Sequence, residues 1–191
     1  MADRSAVFID NGFFKIVQTR LNIRADYLSF SSAVVGGEQN RFRTYVYDCP
    51  PYQSNPPTKL ESEKKASFDK FKFNITRLTR FEFRMGHLQL VRDEEGDMIK
   101  KKDGEPVLRQ KGVDMALGID MASLSVGNKI DKAIIVAGDS DFAPAVQVAK
   151  QAGVIVTLYY DSKTYVHNSL FDICDERIEL TKEFLQKVSR E

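Results

Sequence analysis

Three short, mostly apolar runs constrain the fold of this chain more than any other feature of its sequence. They are residues 6–9 (AVFI), 133–137 (AIIVA) and 154–160 (VIVTLYY), and an aspartate follows each run within two residues. Runs of this length without polar alternation are typical of strands that are buried on both faces. Helical periodicity separates them, so we predict a three-layer α/β fold with a mostly parallel central sheet and helices on both faces.

The intervening segments supply the other predicted elements. Apolar positions about one turn apart predict helices at 13–21, 59–79, 113–126, 142–151 and 169–188, and residues 41–49 are strand-like. Small and polar residues at 31–40 predict a loop. Two turn signals within 86–109 predict a projecting hairpin or flap, inserted into the fold.

The composition is ordinary for a globular domain. The chain has 191 residues, of which 42% are apolar and 29% charged, and we expect one domain over 1–191 with an elaborated middle segment at about 50–110. No apolar run approaches the roughly 18 residues of a membrane helix. The N-terminus lacks a signal-peptide layout, and Cys49 and Cys174 match no metal or redox spacing. We therefore expect a soluble cytoplasmic protein without membrane association; the sequence leaves a homodimer open.

Basic residues are concentrated in the middle of the chain. The net charge is +1, but residues 59–111 carry 14 Lys and Arg against 10 Asp and Glu, whereas residues 113–169 carry 4 against 6. A basic flank beside an acidic segment is typical of a phosphate-binding surface next to a carboxylate site. A solvated surface of mixed charge gives the same pattern. The candidate nucleic-acid-binding residues are Lys65, Lys72, Lys100, Lys101 and Lys102.

Aspartates follow the predicted strands where a parallel sheet binds ligands. Asp10 follows the first run, Asp139 and Asp141 follow a later one, and Asp114 begins a predicted helix. Because the carboxyl ends of parallel strands share one edge, these four side chains are expected to converge there. Clustered carboxylates repel each other unless a cation compensates them, and Mg²⁺ or Mn²⁺ prefers oxygen ligands. Each aspartate alone also suits the role of a helix N-cap.

Other chemistries have less support in the sequence. The two histidines, His87 and His167, have no metal-ligand spacing, so zinc is not favoured. The G-x-S-x-G, P-loop and G-x-G-x-x-G motifs are absent, which leaves serine hydrolase, nucleotide triphosphatase and dinucleotide-binding functions unsupported. Without a histidine base, an attacking water would be activated by the metal, helped by a carboxylate.

Three segments resemble the signature motifs of a known family. They are VFIDN at 7–11, KGVDM at 111–115 with Asp120 after it, and GDSDF at 138–142. In order and spacing, from about residue 5 to about residue 180, they resemble the NYN domain, also called the DUF88 or LabA-like group, of the PIN-like nuclease superfamily. The resemblance implies a PIN-like sheet with an acidic pocket at its carboxyl edge and metal-dependent cleavage of RNA. The long middle segment departs from many relatives and bears on substrate choice.

The resemblance also implies roles for individual residues, with Mg²⁺ or Mn²⁺ as the cofactor. The implied metal ligands and catalytic residues are Asp10, Asp114, Asp139 and Asp141. The implied supporting residues are Asn11, Ser140, Lys111 (as a phosphate contact) and Asp120. Six residues on a helix correspond to a rotation of about 240°, so Asp120 and Asp114 cannot point the same way. Asp120 therefore acts at most through another residue.

Two further functions are compatible with the same residues. The first is a non-catalytic RNA-binding or regulatory module, against which the complete acidic set argues, because a retired nuclease can lose its carboxylates. The second is another metal-dependent phosphoryl-transfer enzyme. A Toprim-type site needs a glutamate after an early strand, where this chain has Asp10. The preferred hypothesis is a ribonuclease with RNA as its partner.

Overall fold

A parallel sheet forms the centre of the protein. The computed structural model describes residues 4–101, 104 and 106–189. The strands within them are β1 (Ser5–Asp10), β2 (Arg41–Asp48), β3 (Phe81–Met85), β4 (His87–Leu90), β5 (Leu108–Lys111), β6 (Lys132–Val136), β7 (Ile155–Tyr160) and β8 (Glu176–Glu179). Six of them form the main sheet in the order β3-β2-β1-β6-β7-β8, and every neighbouring pair is parallel.

The order of the strands reverses between β1 and β6. Strands added after β1 extend the sheet in one direction through β2 and β3, and those from β6 onward extend it in the other. The connections on either side of such a reversal leave in opposite directions, so a crevice opens at the carboxyl ends of the two central strands. Asp10 ends β1 and Asp139 follows β6, so the fold brings both aspartates to this crevice.

Helices cover both faces of the sheet. They are α1 (Asn11–Leu21), α2 (Tyr27–Val34), α3 (Lys59–Thr76), α4 (Val113–Val126), α5 (Ala143–Gln151), α6 (Asn168–Ile173) and α7 (Lys182–Lys187). Alternate residues of β1 enter two separate cores, with Phe8 packed on the side of α4 and α5 and Ile9 on the side of α1 and α2. The predicted three-layer α/β architecture is therefore confirmed. No helix in the described part of the chain is long and apolar enough to cross a bilayer.

The prediction of a loop at 31–40 is wrong for its first part. Helix α2 runs through Val34 and begins after Asp26, whose side chain accepts a hydrogen bond from the Ser29 amide at 2.9 Å. Phe30 and Val34 are buried at helical spacing. Ser31, which suggested a loop, is also buried, and its hydroxyl lies 2.5 Å from that of Thr44 on β2. Because Ser31 is polar but buried with a hydrogen-bond partner, its residue type suggested a loop where the chain forms a helix.

The prediction of one helix over 169–188 is also wrong. The segment contains α6, then the edge strand β8, then α7. The helical hydrogen bonding ends at Cys174, which has an extended backbone, and the Asp175 carboxylate accepts from the Val156 amide at 2.8 Å. The next helix begins after Thr181, whose hydroxyl accepts from the Phe184 amide. Strand β8 has exposed side chains throughout, so it lacks the apolar run that identifies the central strands.

The predicted hairpin is present between β3 and α4. Strands β4 and β5 pair in antiparallel fashion, with His87 opposite Lys111. The chain leaves the main sheet at Gly86, where a Cβ atom would lie 2.6 Å from the Val113 side chain and 2.7 Å from Cys49 Sγ. The packing at this bend therefore requires glycine. Lys102 lies outside the described residues.

Candidate active site

Asp10 links the end of β1 to the start of α1. Its Oδ1 atom accepts hydrogen bonds from the amides of Gly12 at 2.9 Å and Phe13 at 3.3 Å, so the residue is an N-cap as well as a site candidate. Burial raises the pKa of Asp10, these hydrogen bonds lower it, and the nearby charges of Asp114 and Asp48 raise it; the net value is about 6. The carboxylate is held in one orientation and is costly to ionise without a cation.

Asp139 and Asp141 occupy the turn between β6 and α5. Both are exposed. Asp139 Oδ1 accepts from the Asp141 amide at 3.1 Å and from the Ser140 hydroxyl at 3.3 Å. Ser140, which the resemblance implies as a supporting residue, therefore contacts the Asp139 carboxylate.

Asp114 connects these aspartates electrostatically. It lies in the first turn of α4 and is half-buried. Burial raises the pKa of Asp114, and the charges of Asp139 and Asp141 raise it further, while Asp114 in turn raises the pKa of Asp10. Asp114 is therefore within electrostatic reach of Asp10, Asp139 and Asp141 at the carboxyl edge of the sheet.

Asp48 is a fifth carboxylate at this edge, and the sequence hypothesis missed it. It ends β2 and is buried, accepting from Asn11 Nδ2 and Lys15 Nζ at 2.6 Å each and from the Cys49 amide at 2.9 Å. Its position after a strand is the same signal that identified Asp10. The supporting residue Asn11 acts here: it is fully buried and also accepts a hydrogen bond from the Tyr27 hydroxyl.

The acidic residues fit a divalent cation in their chemistry. Within the described ranges, Asp10, Asp114, Asp139 and Asp141 form no ion pair with lysine or arginine, whereas Lys15 neutralises Asp48. Oxygen donors without a counterion suit Mg²⁺ or Mn²⁺, which keeps several of its own waters and so needs few protein ligands. The donor set therefore fits the cofactor that the sequence predicts.

A tighter group of carboxylates lies elsewhere, in the hairpin. Among the described residues, the ligand atoms of Asp93, Glu95 and Asp97 lie within 4.8 Å of one another, a criterion that the sheet-edge aspartates do not meet. All three residues are exposed. Asp93 Oδ1 accepts from the amides of Glu95 at 3.1 Å and Asp97 at 2.8 Å. The turn itself accounts for this cluster, because these hydrogen bonds close it.

Asp120 has structural partners of its own. Its Oδ2 atom accepts from the Tyr47 hydroxyl and from Arg84 Nε, both at 2.9 Å. These contacts join α4 to β2 and β3. The helical rotation between Asp114 and Asp120 thus turns one side chain toward the site and the other toward the sheet.

The candidate nucleic-acid-binding lysines have varied surroundings. Lys65 pairs with Asp69 along α3 at 2.5 Å, and Lys72 Nζ lies 3.9 Å from Met85 Sδ. Lys100 and Lys101 are exposed in the hairpin, and Lys111 is exposed at the end of β5, three residues before Asp114.

A groove of about 830 Å³ lies between α1 and α3. Lys15 and Cys49 line it, so it borders Asp48 and hence the carboxyl edge of the sheet. Arg24 and Lys64 are exposed on its walls, and Phe71 contributes apolar surface. Basic and aromatic side chains together are the groups that bind nucleic-acid strands, and this groove leads away from the aspartates at the sheet edge.

The comparison with protein families matches residues 4–181 to the NYN domain. This chain belongs to the NYN domain family. The match covers nearly the whole chain and all three signature segments, so the resemblance inferred from the sequence is confirmed. NYN domains are PIN-like and nuclease-like, and PIN-like nucleases usually use divalent metal ions.

A solved structure shares the fold. A protein of unknown function from Vibrio parahaemolyticus, VPA0982, aligns with a TM-score of 0.60 and 18% identity over 96% of each chain. The protein Sa239 aligns with a TM-score of 0.41 and 10% identity over 93% of this NYN chain and 60% of its own. No curated protein matches the sequence.

Proposed function

We propose that this NYN protein is a metal-dependent ribonuclease that hydrolyses RNA phosphodiester bonds at the carboxyl edge of its sheet. One observation carries the proposal: Asp114 lies within electrostatic reach of Asp10 on one side and of Asp139 and Asp141 on the other, where the strand order reverses, and none of the four forms an ion pair among the described residues. In the proposal, these four aspartates hold Mg²⁺ or Mn²⁺.

The bound metal would neutralise charge on the scissile phosphate and lower the pKa of an attacking water. The protein's own contribution is orientation. The amides at the start of α1 hold Asp10, and the turn amide of Asp141 holds Asp139. Lys111 would contact a phosphate. His87 is exposed on β4, and His167 caps α6 by accepting from the Ser169 amide. In the proposal, a carboxylate accepts the proton of the water.

The test is a cleavage assay on single-stranded RNA, duplex RNA and single-stranded DNA of the same sequence, with Mg²⁺, Mn²⁺ or EDTA. We expect cleavage of RNA that requires the metal and that Asp139→Asn abolishes. The matched control is Asp131→Asn: Asp131 precedes β6, at the opposite end of the strand that Asp139 follows, and is exposed beside Arg4. It should cleave as the unaltered protein does.

The same assay separates the alternatives. RNA that is bound but never cleaved with either metal would overturn the proposal in favour of a binding module. Equal cleavage by the Asp139→Asn protein would show that the activity arises at another site or from a contaminant.

A further inference from the structure

The loop at 161–167, between β7 and α6, lies directly against the strand end that carries Asp139. The His167 amide donates to the Gly138 carbonyl at 2.8 Å. A Cβ atom on Gly138 would lie only 2.5 Å from the Tyr165 carbonyl oxygen, so the two backbones approach as closely as glycine allows. Tyr165 is therefore held next to the residue that precedes a proposed metal ligand.

A buried ionic contact holds the base of this loop. Asp161 is 1% exposed and accepts from Arg20 Nε at 2.6 Å, Arg20 Nη2 at 2.5 Å and the Thr164 hydroxyl at 2.6 Å. Arg20 belongs to α1, the helix that Asp10 caps. The loop is thus tied to both central elements of the site.

The Tyr165 side chain is unusual on such a well-anchored segment. It is 76% exposed, more than any other large apolar or aromatic side chain among the described residues, while the next residue, Val166, packs against the core. Its ring meets the His167 ring edge-on at a centroid distance of 6.3 Å. Packing of the core therefore does not explain why an aromatic residue occupies this position.

We propose that Tyr165 is a base-stacking platform that receives a nucleobase next to the scissile phosphate and thereby selects single-stranded RNA. This inference rests on the proposed nuclease function and adds a substrate class to it. An exposed aromatic face on a well-anchored loop binds any base by stacking, whatever its hydrogen-bonding pattern. A base inside a duplex has its faces covered by its neighbours, so only a single strand can use the platform.

The chain contains no tryptophan, so Tyr165→Trp introduces a single fluorescent reporter at the platform. The probe is an eight-nucleotide oligoribonucleotide in EDTA, which prevents metal-dependent cleavage. We expect the RNA to quench the tryptophan emission, and an abasic nucleotide moved along the oligonucleotide to abolish the quenching at only one or two positions.

The control reporter is Phe73→Trp. Phe73 is 55% exposed near the carboxyl-terminal end of α3. From there the chain continues to the amino-terminal end of β3. Its emission should not change with RNA. RNA that binds by anisotropy without quenching at position 165, or with equal quenching at position 73, would overturn the stacking proposal and leave the nuclease proposal standing.

Steady-state kinetics provide a second measurement. Tyr165→Ala should raise KM for single-stranded RNA about tenfold, the lower part of the range for loss of one stacked base, with little change in kcat. Tyr165→Phe keeps the ring and should raise KM less than Tyr165→Ala does. Both variants should keep their melting temperature because the side chain is exposed. An unchanged KM for Tyr165→Ala overturns the inference, and an unaltered protein that neither binds nor cleaves RNA overturns the proposed function with it.

Discussion

Lys15 Nζ lies 2.6 Å from Asp48 Oδ2, which gives one carboxylate of the sheet edge its own cation. Asp10, one strand away on β1, has no such partner among the described residues, and its pKa is raised. The edge thus contains a carboxylate neutralised by a lysine beside others that form no ion pair among the described residues. The difference leads to separate expectations for stability, metal binding and RNA binding.

Asp10→Asn should stabilise the metal-free protein at neutral pH. A carboxyl group whose folded-state pKa is about 6, against 3.8 ordinarily, is costly to keep ionised above pH 6 and cost-free below about pH 4. The gain should approach about 3 kcal/mol at pH 7.5, from two pKa units, and should vanish near pH 4. Asparagine also keeps the N-cap. Urea unfolding in EDTA across this pH range measures the difference.

Asp131→Asn is the control of opposite sign. The side-chain hydrogen bond from Arg4 lowers the pKa of Asp131 to about 2, so ionisation favours the folded state there. The substitution should destabilise at neutral pH, and the effect should fade as the pH falls toward 2. A stabilising effect of Asp131→Asn at pH 7.5, or none from Asp10→Asn, contradicts this account of the charges.

Millimolar Mg²⁺ or Mn²⁺ should raise the melting temperature, because the ion binds the folded site and not the unfolded chain. At a concentration ten times Kd the gain is about 1.4 kcal/mol. Asp139→Asn should reduce the shift strongly. Asp93→Asn, in the hairpin cluster, should keep it, because the turn accounts for that cluster. If Asp93→Asn removes the shift and Asp139→Asn retains it, the stabilising ion binds the hairpin.

Lys64→Ala should weaken RNA binding, whereas Lys65→Ala should not. Lys64 is exposed on the wall of the groove between α1 and α3, and its neighbour Lys65 is already paired with Asp69. Loss of one phosphate contact should reduce the slope of log affinity against log salt concentration by about 1. Fluorescence anisotropy with labelled RNA between 50 and about 200 mM salt measures it. Equal slopes for the two variants would place the strand outside this groove.

Asp161→Asn should destabilise the fold by about 3 kcal/mol, the scale for breaking a buried pair. Burial alone would raise the pKa of Asp161, but hydrogen bonds from Arg20, Thr164 and the Lys163 amide outweigh it, and the net shift is downward. A lowered pKa means that the contribution is present above about pH 4 and is lost as the pH falls through the folded-state value. The difference between the two proteins in urea unfolding should therefore shrink on acidification. A difference that stays constant down to pH 2 would contradict the assignment.

The central strands were predictable because strands that are buried on both faces consist of uninterrupted apolar residues, a pattern visible in the sequence. Strands β1, β6 and β7 are covered on both faces and so consist almost entirely of apolar residues, which also located Asp10 and Asp139 at their ends. Strand β8 lies at the edge of the sheet with exposed side chains, and its pairing with β7 depends on backbone contacts that composition does not record.

The residues of the candidate site that sequence reasoning missed also depend on tertiary contacts. Asp48 follows a strand as Asp10 does, but its burial and its pairing with Lys15 depend on how α1 packs across β2, a tertiary contact 33 residues apart in the chain. Tyr165 gives no local signal, because its exposure and its position beside Gly138 come from the return of the loop to β6.

The hairpin of β4 and β5 leaves and rejoins the rest of the chain at nearly the same point. A Cβ atom on Gly86 would lie 2.8 Å from the Lys111 carbonyl oxygen, and within the described residues the two strands pair only with each other. Its length can therefore vary among descendants of this gene without moving Asp48 before it or Asp114 after it.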